Sequence, residues 1–158
     1  MRAPARSAGL LIYRRSNGRD IEVLIAHPGG PFWTRRDEGA WTIPKGLIED
    51  GEAELDVARR EFHEETGHEP PSAGTIALGE VQLKSGKTVV GWAAEGDLDP
   101  ATAYSNEVEV EWPPRSGRRI TVPEIDRVAW VSAGEARRLL NPAQAAFVDR
   151  LLAALGPG

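Results

Sequence analysis

GLIEDGEAELDVARREFHEETG, from Gly46 to Gly67, is the stretch from which the rest of the chain takes its meaning. Asp50 is placed to cap a helix whose first turn carries Glu52 and Glu54, acids favoured by the positive end of the helix dipole. Leu55, Ala58 and Phe62, flanked by Val57, recur at helical spacing and give one face apolar surface. Thr66 is the expected end, because Gly67 suits a left-handed C-cap. On the opposite face Glu61, Glu64 and Glu65 stand at i, i+3 and i+4, so their carboxylates project into one small region. Arg59 and Arg60 offset some of the repulsion between them. A hard divalent cation such as Mg²⁺, with Mn²⁺ as a substitute, offsets it better, since such ions prefer carboxylate oxygen. The same Arg-Arg-Glu-x-x-Glu-Glu run also suits a solvated helix face laced with ion pairs.

The preceding loop, Trp41-Thr-Ile-Pro-Lys-Gly46, favours the metal site. Pro44 and Gly46 punctuate it, bring backbone close to the helix start, and leave a carbonyl and Lys45 facing the same place. A lysine beside a metal suits a phosphate. Gly46, five residues, Glu52, seven residues and then Arg60-Glu61-Phe62-His63-Glu64-Glu65-Thr66-Gly67 resembles the Nudix box, the signature of hydrolases acting on nucleoside diphosphates linked to another group. Phe62 and His68 depart from it, standing where the family usually has aliphatic residues, and both departures bear on packing.

The resemblance implies an α/β fold, a Nudix-like α/β/α sandwich with a mixed sheet between helices. It also implies metal held by Glu61, Glu64, Glu65 and the Gly46 carbonyl. Glu61 or a more distant loop glutamate would be the general base, and Glu124, ahead of the strand ending near Trp130, is the matching loop acid. Arg60 would orient the carboxylates while Glu52 fastens the loop to the helix.

At 158 residues and without cysteine, the chain is expected to form one domain, 1–158, with no disulfide or thiolate metal site. Met1 to Ser16 lacks an uninterrupted apolar run of leader length, and no stretch has membrane-spanning length, so a soluble, cytoplasmic protein is expected. The formal charge of −5 argues against a general nucleic-acid coat, capped RNA ends excepted. The expected partner is a small-molecule nucleotide, and the reading leaves room for a homodimer.

In chain order, Ala8 to Tyr13 and Ile21 to Ala26 form a hairpin across Ser16-Asn17-Gly18. A loop follows with Phe32, Trp33, Arg35 and Arg36, where Trp33 and Arg35 are candidates for holding a base and a phosphate; the aromatics equally suit covering a sheet end. His27 is expected as a strand-end residue. Thr75 to Leu83 and Thr88 to Ala94 make a second hairpin around Lys84 and Lys87, read first as a solvated turn and second as a reach to a distal phosphate. Glu107 to Trp112 alternates as a strand with one wet face. Pro113 to Arg119 is a basic loop in which Arg118 is the phosphate-holding candidate, against a solubilising role. Ser132 and Glu135 form a capping box for a helix through Leu140, and Asn141-Pro142 opens another with Phe147, Leu151 and Leu155 buried.

The WTIPKG approach and the Glu124 to Trp130 segment look most similar to the branch of the family that hydrolyses dinucleoside polyphosphates such as diadenosine tetraphosphate. Oxidised nucleoside triphosphates are the nearest alternative, followed by inositol pyrophosphates or capped RNA. A non-catalytic nucleotide-binding module of the same fold is the alternative from another class.

Overall fold

The computed structural model describes residues 5–156. The first four residues of the Met1 to Ser16 stretch, and both ends of the 1–158 domain assignment, lie outside them. Strands β1 (Arg6–Ser16) and β2 (Asp20–Pro28) pair antiparallel around the Asn17-Gly18 turn, as expected from the two apolar runs. Strand β3 (Lys45–Leu47) pairs antiparallel with the first residues of β1, Gly46 opposite Ala8, and helix α1 (Glu54–Thr66) follows. The second hairpin, β4 (Thr75–Gln82) and β5 (Thr88–Glu95), joins through β5 running parallel to β1. Strands β6 (Glu107–Glu111) and β7 (Arg119–Pro123) form a separate two-stranded ribbon, and β8 (Ile125–Ser132) returns to the main sheet beside β2. Helices α2 (Ala133–Leu139) and α3 (Ala145–Leu155) close the order. The main sheet runs β4-β5-β1-β2-β8 with β3 on β1, so it is mixed, as the resemblance implied.

Alternation along β1 shows why the central run is apolar throughout. Ala8, Leu10 and Ile12 point to the α1 side, where they pack with Val57, Ala58 and Phe62. Leu11 and Tyr13 point the other way, against Leu139, Phe147, Val148 and Leu151 of α2 and α3. A strand covered on both faces has no wet side to mark with polar residues, so it reads as AGLLIY rather than as an alternation. Helices on both faces give the α/β/α layering. Phe62, aromatic at an aliphatic position of the box, is accommodated at 1 % exposure in the α1 layer.

Several boundaries differ from the sequence reading. The N-cap of α1 is Ala53 without a side-chain cap, so Asp50 is not its cap. The turn ahead of the helix is instead closed by Glu52, whose carboxylate accepts the Glu49 N–H at 2.9 Å and pairs with Arg60. Leu55 is only half-buried. Asn141 caps a turn, accepting the Ala143 N–H at 3.1 Å, and α3 starts later, after Gln144. Gln144 is buried because it accepts the Ile43 N–H at 2.9 Å, fastening the WTIPKG segment. Ser132 caps α2, its Oγ accepting the Glu135 N–H, while the Glu135 carboxylate pairs with Arg138 rather than completing a reciprocal box. Among the described residues no helix is long and apolar enough to cross a membrane.

Candidate active site

Three fastenings hold the WTIPKG segment, and they set it against the C-terminal half of α1 rather than the helix start expected from sequence. Thr42 exchanges both backbone hydrogen bonds with Ala26 of β2, at 2.8 and 2.9 Å, Gln144 holds Ile43, and the Pro44 carbonyl accepts the Leu10 N–H at 3.1 Å. Gly46 therefore lies under the helix, and Glu61 lies directly on it. A Cβ at position 46 would overlap the Glu61 carboxylate, so only glycine leaves room for that group against the strand. Here the glycine of the motif has a steric meaning that spacing alone does not reveal.

Around this contact is a cavity of about 420 Å³ lined by Lys45, Gly46, Arg60, Glu61, Glu64 and Glu124, with Lys87 on its rim. Glu124, more than fifty residues from α1 in sequence, is brought there by its backbone. Its N–H donates to the Asn106 carbonyl at 2.9 Å, and its carbonyl accepts the Gly29 N–H at 3.0 Å. The Asn106 N–H in turn donates to the Glu64 carbonyl at 2.9 Å, tying the loop acid to the acidic helix. Lys87 arrives through the parallel pairing of β5 with β1, which sets Thr88 beside Arg6 and Val89 beside Ser7, next to β3. Lys87 is exposed, as a solvated turn would be, and it also lines the cavity.

Glu65 departs from the sequence reading. It is 3 % exposed rather than on a wet face with Glu61 and Glu64, and its Oε1 accepts the Lys45 N–H at 3.3 Å. A 100° step per residue turns position 65 toward the sheet while 61 and 64 stay at its edge. Burial drives its pKa well above the ordinary carboxylate value, with Glu124 and Glu61 adding repulsion. Half-burial, then contact with and repulsion from Glu64, raise Glu61 to about 7. Burial holds Lys45 below its ordinary value, while Glu65 works in the opposite sense. Arg60 is committed to Glu52, and its Nε reaches Glu64 only at 4.0 Å.

Among the described residues, no three acidic or histidine side chains already converge in ligand geometry. The donor set nevertheless fits a hard divalent cation. It offers several carboxylates, two of them held above their ordinary pKa by burial and mutual repulsion, one of which rests against the strand only because residue 46 has no side chain.

Trp33, Arg35 and Arg118 lie outside this cavity. The Trp33 ring meets Phe32 edge to face at 4.8 Å, and the Arg36 guanidinium, not that of Arg35, covers Phe32 at 4.2 Å. The aromatics are thus largely spent on each other. Arg118 sits in the exposed β6–β7 turn, its N–H donating to Ser116 Oγ at 3.1 Å. His27 is fully buried, its Nδ1 2.9 Å from Asp126 Oδ1 and its Nε2 2.7 Å from the Arg36 carbonyl, which ties the loop to β8.

The raised carboxylates predict a pH signature for the metal-free protein. A glutamate whose folded pKa lies above its unfolded value keeps a proton that the unfolded chain has released, so stability falls as pH rises from about 4.3 toward 7. In chelator, the unfolding midpoint at pH 8 is expected to lie below that at pH 5.5, and Mg²⁺ to recover more at pH 8. Differential scanning calorimetry at the two pH values measures this, and equal midpoints with no added effect of Mg²⁺ at pH 8 would contradict it.

Comparison with known proteins places the site in context. A family model described as the NUDIX domain matches residues 3–151. The chain is 34% identical to a Rattus norvegicus bis(5'-nucleosyl)-tetraphosphatase (asymmetrical), over 65% of this chain and 73% of that protein. It is 32% identical to an 8-oxo-(d)GTP phosphatase of Mycolicibacterium smegmatis, over 60% of this chain but 31% of the relative. Among solved structures, a C. elegans Ap4A hydrolase binary complex superposes with a TM-score of 0.66 at 22% identity, covering 94% of this chain and 97% of that one. The NUDIX domain of Shewanella oneidensis NrtR with ADP ribose gives 0.67 at 14% identity, covering 99% and 91%. At these identities the two structures speak to the fold alone.

Proposed function

The chain belongs to the NUDIX domain family and is a hydrolase acting on phosphorus-containing acid anhydrides; from that premise we propose that it cleaves a dinucleoside polyphosphate of the diadenosine tetraphosphate kind as a single domain spanning 1–158. The observation that carries the reading is one cavity lined by Glu61, Glu64 and Glu124 together with Lys45 and Lys87. Carboxylates gather cations and ammonium groups gather phosphate oxygens, so the two sets together suit a polyphosphate. Nudix hydrolases generally use divalent ions such as Mg²⁺. Glu61, Glu64, Glu65 and the Gly46 carbonyl would hold the ion here, and when bound it neutralises phosphate charge and makes a nearby water more acidic.

The chain's own residues do the rest. Glu61, half-buried beside Glu64, is the first candidate to take a proton from water, and Glu124, lining the same cavity, is the second. Lys45 and Lys87 hold the phosphate chain, and Lys45, being largely desolvated, attracts it more strongly than a lysine in water. Arg60 positions the helix start through Glu52.

The preference for dinucleoside polyphosphates is supported by the rat relative, whose name gives bis(5'-nucleosyl) tetraphosphates as its substrate. Oxidised guanine nucleotides are the second reading, supported by the Mycolicibacterium relative over less than a third of its length. The test is a panel of diadenosine tetraphosphate, 8-oxo-dGTP, dGTP, a nucleotide sugar and an inositol pyrophosphate, each with Mg²⁺ or Mn²⁺. The expected result is the highest kcat/KM for diadenosine tetraphosphate. A preference of more than about tenfold for 8-oxo-dGTP, 1.4 kcal/mol in transition-state binding, would shift the assignment to the second reading. No hydrolysis of any member would overturn both.

A further inference from the structure

Beside the carboxylate cavity lies a second one of about 430 Å³, within the size range of small-ligand pockets, and Glu65 is on its wall. The segment after β5 brings Ala103, Tyr104 and Ser105 along this cavity. Tyr104 is 72 % exposed, the most exposed large hydrophobic side chain among the described residues. Its backbone, by contrast, is firmly held. The Tyr104 N–H donates to the Thr66 carbonyl at 3.0 Å, and Ser105 Oγ accepts the Ile125 N–H at 3.0 Å while donating to the Asn106 carbonyl at 2.6 Å. The ring lies over Gly67, where a Cβ would come within 2.5 Å of its Cε1, so glycine at the end of α1 both takes a left-handed conformation and makes room for the ring. One side of the ring is therefore seated on backbone and the other is open.

We infer that Tyr104 is the platform on which a nucleobase of the substrate stacks, its phosphates lying in the adjacent cavity of Glu61, Glu64 and Glu124. Two features of the site favour this ring over the Phe32-Trp33 pair expected from sequence. Those rings already engage each other and Arg36, whereas Tyr104 has no aromatic or cationic partner among the described residues. The loop bearing Tyr104 is also hydrogen-bonded to the Glu64 and Thr66 carbonyls and, through Asn106, to Glu124, so the platform is fixed relative to the reacting groups. The inference rests on the nucleotide reading above.

The test is calorimetric binding, in Mg²⁺, of α,β-methylene-ATP and of inorganic tripolyphosphate, which has no base, to the wild-type chain, Tyr104→Ala and Tyr104→Phe. The wild type is expected to prefer the nucleotide. Tyr104→Ala is expected to cut that preference about 5- to 140-fold, the 1–3 kcal/mol of base stacking converted at 1.4 kcal/mol per tenfold. Tyr104→Phe should keep it, since no hydrogen bond of the hydroxyl contributes to the fold. An unchanged preference in Tyr104→Ala, or none in the wild type, would overturn the platform. If the preference responds to Tyr104→Ala while the wild type hydrolyses no nucleotide, the platform stands and only the proposed reaction falls.

Discussion

Glu61→Gln is expected to lower kcat by about 10²- to 10⁴-fold, the range of a lost general base, with further loss where a cation's carboxylate is removed. The same substitution is expected to raise the unfolding midpoint of the metal-free protein at pH 8. At that pH an ionised Glu61 faces Glu64 and Glu124 from a half-buried position, and Gln keeps the shape without the charge. Solvent on its outer half screens the repulsion, so relief is of order 1 kcal/mol, about 2–4 °C for a chain of this size. Activity and stability then move in opposite directions, which a variant that merely unfolds does not do. Steady-state kinetics with a saturating divalent cation and thermal unfolding in chelator read the two quantities. Near-normal turnover would remove Glu61 from the reaction.

Gly46→Ala is expected to cost at least about 10² in kcat/KM, although it adds a single methyl group. The new Cβ has nowhere to go except into the Glu61 carboxylate, and the backbone of β3 is pinned to β1 by the pairing of Gly46 with Ala8. Glu61 must swing out, and displacement of a reacting group by an ångström costs about that factor. Circular dichroism and the unfolding midpoint should show a folded protein, because β3 remains paired and residue 46 contributes no side chain to either apolar cluster. Full activity in Gly46→Ala would mean that Glu61 works from another position.

Much of the site was legible beforehand because it is local. Glu61, Glu64 and Glu65 share one helix, and helical geometry fixes how their side chains fan out whatever the rest of the chain does. Gly46 and Lys45 stand close in sequence to that helix, so one turn suffices to bring them in. The layered fold was legible only through the resemblance to the family; the structure supplies the physical reason, since AGLLIY is apolar on both faces, as a central strand must be when helices cover both sides. Glu124 was within reach only through resemblance to the family, since nothing in the letters PEIDR indicates that Asn106 and Gly29 clamp its backbone beside Glu64. Trp33, Arg35 and Arg118 were chosen for chemical type, and type says nothing about which loop faces which cavity.

The sequence by itself determined the acidic helix, the glycine-punctuated turn ahead of it, and the hairpins that supply the sheet, because each follows from periodicity or turn chemistry over a few residues. Only the tertiary structure decided that Glu65 is buried while its neighbours stay at the edge, that Lys87 and Glu124 reach the same cavity, and that Tyr104 rather than Trp33 is left open beside it. Those outcomes depend on which strands pair and in which register, and pairing joins residues tens of positions apart whose meeting no local pattern encodes.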